Sequence, residues 1–308
     1  MNYIIGTFRI TRINIKLFLI LSSLFISFQP HTLYSQDLDT VEIRQIMVEG
    51  IENMDKGNYR SAIELFDRGR NALHTFVIGK DARKANIVES LQLTREAEER
   101  INREDFEGAL ELLNRAIELD NNNIEAYKFR GSVRLVLEQR IERRRNRDYN
   151  SLLNDYTNAI RITDNRINRT ARRTQERREL EKEKAKILIN RAYVKMQSRR
   201  RSSFYSAIDD YSDAISYDDQ NWDGYHGRAI AHNKVRDSRR EVNDYLRAVE
   251  LMDKYDHPLT DRERAEIYLN IAYAYADIGN SLRAFTYAER SYNLGNNEAE
   301  TIMDRNRP

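Results

Sequence analysis

One pattern recurs along this chain and limits what it can fold into. The stretch Ala207–Ser216 reads AIDDYSDAIS, and related stretches begin at Ala62 (AIELFDRGR), Ala109 (ALELLNRAI), Leu152 (LLNDYTNAI), Glu241 (EVNDYLRAV) and Ala284 (AFTYAERSY). A small residue opens most copies. A large apolar or aromatic residue usually follows four later, and a small residue returns three after that. Those offsets fall on one stripe of an α-helix. A single helical unit repeated this way cannot bury its apolar face alone, and stacking neighbours solves the problem. The expected fold is therefore an all-α solenoid, built by stacking one helical unit on the next.

Composition agrees. Of 308 residues, 32% are charged and only 3 are Pro and 11 Gly, which favours helices over turn-rich β structure. The 18 Tyr, together with many Ile and Leu, argue against disorder throughout. Cysteine is absent, so disulfides, thiolate zinc sites, cysteine nucleophiles and the lipid-attachment cysteine of a bacterial lipoprotein are excluded together.

The first 35 residues stand outside the repeat. Arg9, Arg12 and Lys16 precede an apolar run from Leu17 to Phe28, followed by the polar HTLYSQD. A basic start, a run of this length and a small residue near its end describe a secretion signal, with cleavage expected at Ser35–Gln36. The run is shorter than the roughly 20 residues that span a bilayer, which disfavours the alternative of a retained anchor. The expected location is thus the periplasm or cell envelope. Losing three basic and no acidic residues turns a formal charge of +2 into −1, so the whole-chain pI of about 8.6 does not argue for nucleic acid.

From Lys56 the chain reads KGNYRSAIELF, and Gly50, Gly57, Ala62 and Gly69 fall at offsets of seven, five and seven. These residues resemble the tetratricopeptide repeat, whose 34-residue unit has small residues at positions eight, twenty and twenty-seven and a turn glycine at fifteen. Ile46 stands where that family carries an aromatic. Ala97, Ala109 and Ala116 fit a second unit, and Gly131, Leu152 and Ala159 a third. Ala192, Ala207 and Ala214 fit a fourth, Ala229 and Ala248 a fifth, and Ala272 and Ala284 a sixth. The resemblance runs from about Ile43 to Asn297 and implies an α-solenoid of stacked antiparallel helix pairs, with about six repeats. Residues 36–166 are read as about three N-terminal repeats, 167–184 as a charged helical linker, and 185–308 as about three further repeats with a short closing helix. Phe76–Glu89 is extra chain that lengthens the first unit's second helix. Glu241 occupies position twenty of the fifth unit, where a small residue is expected, and so predicts a looser helix pair. Thr260 with Glu263 is a capping-box signature.

Chemistry is sparse. No two of the five His lie at i, i+4, and no glycine-rich phosphate loop or GxSxG elbow occurs. No enzyme activity, cofactor or metal is expected, although nucleophile and base from distant repeats remain an open alternative. Two features point to binding. The resemblance implies that the first helix of each unit lines a concave groove. That places Lys128, Asn190, Tyr193, His226, Ile230, Asn270 and Tyr273 toward a protein or peptide partner; units four and six share Asn-x-Ala-Tyr. Tyr offers a broad apolar face with one hydroxyl, and Asn pairs with peptide groups; the plain alternative is that both are ordinary at those positions. Separately, Arg134–Arg201 carries 21 basic and 9 acidic side chains. Its inserts hold Arg143, Arg144, Arg145 and Arg147, then Arg199, Arg200 and Arg201. They are either solvated charges or a basic edge for an acidic protein, anionic lipid or envelope polysaccharide. Nucleic acid is not expected. The function read from the sequence is an exported, non-enzymatic interaction scaffold; the alternative is an accessory subunit of an envelope transport or enzyme complex that binds a small ligand or peptide.

Overall fold

The computed structural model describes residues 38–140, 149–198, 200–255 and 259–307. The secretion signal read at 1–35 lies outside them. Among the described residues every regular element is helical: α1 (Leu38–Asp55), α2 (Tyr59–Asn102), α3 (Phe106–Leu119), α4 (Ile124–Arg140), α5 (Tyr149–Arg169), α6 (Gln175–Met196), α7 (Arg201–Tyr217), α8 (Trp222–Val235), α9 (Ser238–Lys254), α10 (Asp261–Asp277), α11 (Ser281–Asn293), a 3-10 turn (Asn297–Ala299) and α12 (Glu300–Asn306). The chain divides into two compact units, 1–86 and 87–308.

In the first unit, α1 pairs with the start of α2. A Cβ on Gly50 would lie 2.8 Å from the Phe66 ring, so glycine sets how closely the helices approach. Gly57 makes the turn between them at φ +79°, where an L side chain is strained. Phe76–Glu89 does lengthen the second helix. Nothing in that stretch breaks a helix, and α2 continues without interruption for 44 residues.

The second unit is a stack of helix hairpins: the end of α2 with α3, then α4/α5, α6/α7, α8/α9 and α10/α11, closed by α12. The three recurring stripe positions are buried in all six copies, from Ala62, Phe66 and Gly69 to Ala284, Ala288 and Ser291. Gly131 repeats the Gly50 arrangement, since a Cβ there would meet the Tyr156 ring at 2.9 Å. Thr260 and Glu263 form the expected capping box at α10.

The charged stretch 167–184 lies within the second unit. It consists of the last turn of α5, a short connection, and the first turns of α6, which Thr174 caps by accepting from the Arg177 N–H. Two of its charges bond to the end of α5: the Arg177 guanidinium donates to the Ile167 carbonyl at 2.9 Å, and Lys184 pairs with Asp164 at 2.6 Å. Ile162 of α5 and Ala185 and Ile187 of α6 share one apolar cluster.

Hairpins three to five contain a motif that the stripe does not reveal. An Arg on the first helix grips a buried Asp on the second with two nitrogens: Arg130 with Asp155, Arg191 with Asp210, and Arg228 with Asp244, at 2.6–3.2 Å. The same Arg donates to a polar side chain on the preceding hairpin: Asn114 at 3.0 Å, Thr157 at 3.3 Å and Ser212 at 3.1 Å. A second base, one turn after the Arg, faces the same Asp: Arg134 at 2.8 Å, Lys195 at 2.6 Å and His232 at 3.6 Å. In the sixth hairpin the equivalent positions hold Ile271, Tyr275 and Tyr287, and the two Tyr rings stack with centroids 5.6 Å apart. Leu246, where the fifth hairpin would have offered its polar partner, joins the apolar cluster that includes Ile271.

Removing one side of a buried pair strands the other charge, at a cost of about 3–5 kcal/mol. Asp210→Ala is therefore expected to lower the urea-unfolding midpoint sharply, because it leaves both Arg191 and Lys195 without their partner. Asp209→Ala, on the exposed neighbouring position, leaves the midpoint unchanged. Equal effects of the two substitutions would contradict this account of the hairpin interior.

Candidate functional site: the first-helix face

The groove residues expected from the sequence fall into three groups. Asn190 and Tyr193 on α6 and Tyr273 on α10 stand open to solvent, Tyr193 at 50% and Tyr273 at 46% exposure. They are exposed because the neighbouring positions, Ala192 and Val194 on α6 and Ala272 and Ala274 on α10, turn into the stack and fix the helix rotation.

His226, Ile230 and Asn270 are half-buried and help hold the face together. The His226 ring lies between Trp222, at 5.6 Å, and Tyr245, at 5.8 Å. Burial lowers its pKa, so it presents a neutral imidazole at neutral pH. Asn270 hydrogen-bonds the Tyr245 hydroxyl, so α8, α9 and α10 meet through Tyr245. Ile230 packs against the apolar cluster of the last two hairpins.

Lys128 differs from its sequence expectation. Its ammonium pairs with Glu125 at 2.9 Å and also with Glu183 of α6. Burial works against its charge, but the hydrogen bonds and charges of Glu183 and Glu125 outweigh that and raise its pKa. It ties α4 to α6.

Of the basic edge, Arg143, Arg144, Arg145, Arg147 and Arg199 lie outside the described residues. Arg200 precedes α7 and Arg201 begins it, and both are exposed. Two clefts open on the second unit. One, of about 680 Å³, lies between α10 and the closing turn and is lined by Arg262, Glu266, Leu269, Asn270, Asn296 and Glu298 among others. The second, of about 720 Å³, lies where α7 meets the α8–α9 turn and the end of α10. Among the described residues, no group of three His, Asp or Glu is placed to hold a metal, and no helix is long and apolar enough to cross a membrane.

Sequence reasoning mistook the role of Glu241. It does not loosen the α8/α9 pair; it is 1% exposed and accepts a hydrogen bond from Asn233 at 3.0 Å, while its other oxygen has no hydrogen-bond partner. Burial raises its pKa to about 7, with the Asn233 bond opposing and the Asp277 charge adding to the rise. The folded state thus binds this proton more tightly than the unfolded chain does. Its contribution to stability is full below the ordinary carboxyl value of 4.5 and is lost as pH rises toward and through about 7. The expected loss is on the order of 3 kcal/mol across that window. Glu241→Gln, which cannot ionise, is expected to remove this fall in a pH series of thermal midpoints. An unchanged pH profile in the variant would show that Glu241 is not its source.

No protein-family model matches the sequence, and no curated protein sequence matches it. Solved structures do. The crystal structure of YrrB, described as a TPR protein with an unusual peptide-binding site, superposes with a TM-score of 0.50 at 13% identity, covering 75% of this chain and 97% of that one. MamA superposes with a TM-score of 0.49 at 14% identity, covering 69% and 94%. TTC0263, a thermophilic TPR protein of Thermus thermophilus, gives 0.42 at 14% identity, covering 70% and 96%. Identities this low speak only to fold. The hairpin repeat and the YrrB superposition agree that the fold is an all-α, tetratricopeptide-repeat-like stack of helix pairs.

Proposed function

We propose that the chain is a non-enzymatic scaffold that binds a protein or peptide partner on the first-helix face of its later hairpins, with a basic edge beside it. The observation that carries this reading is the pairing of an exposed Tyr with an Asn three residues earlier at the same register of two repeats: Asn190 with Tyr193, and Asn270 with Tyr273. A large ring left in water on a helix whose neighbouring residues are buried is a ready contact for a partner. YrrB is described as having a peptide-binding site; only that ligand class, a peptide, is carried over here.

The cleft of about 680 Å³ beside Asn270 favours a second reading, in which the chain serves an envelope transport or enzyme complex as an accessory subunit and takes a small polar ligand there. Affinity capture from chemically crosslinked cells separates the two. In the scaffold reading, Tyr193→Ala combined with Tyr273→Ala reduces the recovered protein partners about tenfold or more. Undiminished recovery removes the groove from the account.

The basic start and apolar run within residues 1–35 support a location outside the cytoplasm, in the periplasm or envelope. Mass spectrometry of the protein from its native cell is expected to find Gln36 as the first residue. A mature chain that keeps Met1 would remove the cleaved signal from the proposal.

A further inference from the structure

The cleft of about 720 Å³ lies on the edge where each hairpin turns from its first helix into its second. Its lining includes Tyr205, Ile208 and Asp209 of α7, His232, Val235 and the turn Arg236–Arg240 of the fifth hairpin, and Asp277 and Ile278 at the end of α10. None of the groove residues lines it. Tyr205 and Ile278 are 49% and 39% exposed, so its apolar floor is open. His232 is buried, and burial lowers its pKa, so it adds no charge at neutral pH.

The rim carries charge of both signs, unevenly committed. Arg240 pairs with Asp237 at 3.4 Å, and Asp237 also caps α9. Asp277 accepts from the Ser238 hydroxyl at 3.3 Å. Arg236 and Arg239 are exposed and have no acidic partner among the described residues. Arg201 stands 6.0 Å from the Tyr205 ring, which brings the insert of the fourth hairpin to the same rim. Arg201 and the turn of the fifth hairpin thus bring basic side chains to one rim.

We propose that this cleft docks an acidic peptide segment of a protein partner, one that sets an apolar or aromatic side chain on the Tyr205–Ile278 floor and its carboxylates on Arg236 and Arg239. Asp209 and Asp277 fit this occupant, since a peptide brings N–H donors as well as carboxylates. They do not fit a uniformly anionic lipid surface, which they would repel. The volume is that of a site for a few side chains. The proposal rests on the scaffold reading but not on the groove.

The test pans a random heptapeptide display library on the purified full-length chain and measures the enriched peptides by fluorescence anisotropy. Enrichment of Asp or Glu flanking Phe, Tyr or Leu is expected, with binding that weakens as salt rises from about 0.05 to about 0.5 M. Affinity should drop about tenfold or more in Arg236→Gly with Arg239→Glu, and in Tyr205→Ala. Glycine suits position 236, where the backbone is left-handed at φ 65°. Arg239→Ala, an exposed helical substitution, repeats the test with least risk to folding. Tyr193→Ala with Tyr273→Ala should leave these peptides bound, so failure of the groove and failure of the cleft are separately visible. The proposal is overturned if no acidic peptide is enriched, or if affinity ignores the cleft substitutions. It is also overturned if the chain binds only vesicles of phosphatidylglycerol in phosphatidylcholine.

Discussion

Three arginines hold the middle of this structure in place. Each is clamped by an aspartate on its own hairpin and tied by a further nitrogen to the hairpin before it. Apolar contact between helices is non-directional, so stripes of Ala, Leu and Tyr alone leave the rotation of one hairpin on the next loosely defined. A guanidinium that must satisfy a carboxylate through two parallel bonds tolerates much less freedom. Such buried pairs add little net stability over an apolar substitute, but the wrong register leaves a charge stranded. Their physical role here is to set the relative position of neighbouring first helices, and those helices carry the exposed side chains.

The small residues act in the other direction, by permitting approach. Gly50 against Phe66 and Gly131 against Tyr156 allow an aromatic ring to lie where a side chain would otherwise stand. With the helices this close, the first-helix residues beside the contact have no room inside the hairpin and are turned outward. Tyr193 and Tyr273 are therefore displayed because Ala192 and Ala272 are buried, and the exposed face follows from the packing.

The stripe was legible in the sequence because helical periodicity survives imperfect copies; even Glu241, the least fitting member, sits at the buried position that the pattern assigns. The turn glycines, the capping box at Thr260 and the uninterrupted α2 were legible for similar local reasons. The arginine ladder was not. Arg130 and Asp155 are 25 residues apart and read as two ordinary surface charges until the hairpin closes. A signal did exist: an Arg immediately before the small first-helix residue in units three, four and five, together with the Asp of NDY, DDY and NDY on the second helices. The tie made by Lys128 was hidden for a related reason. Within its own helix the lysine shows only an ordinary pairing with Glu125, and its second partner, Glu183, belongs to the next hairpin.

The ladder stops before the sixth hairpin, where Ile271, Tyr275 and Tyr287 replace the Arg, the second base and the Asp. Stacked rings and aliphatic surface resist separation but permit small swivels, whereas a two-pronged ionic clamp does not. The helices α6 and α8 are thus registered on their predecessors by directional ionic bonds. Asn270 and Tyr273 stand on a hairpin that meets the fifth through apolar packing, the Asn270–Tyr245 hydrogen bond and the Arg264–Asp253 pair instead.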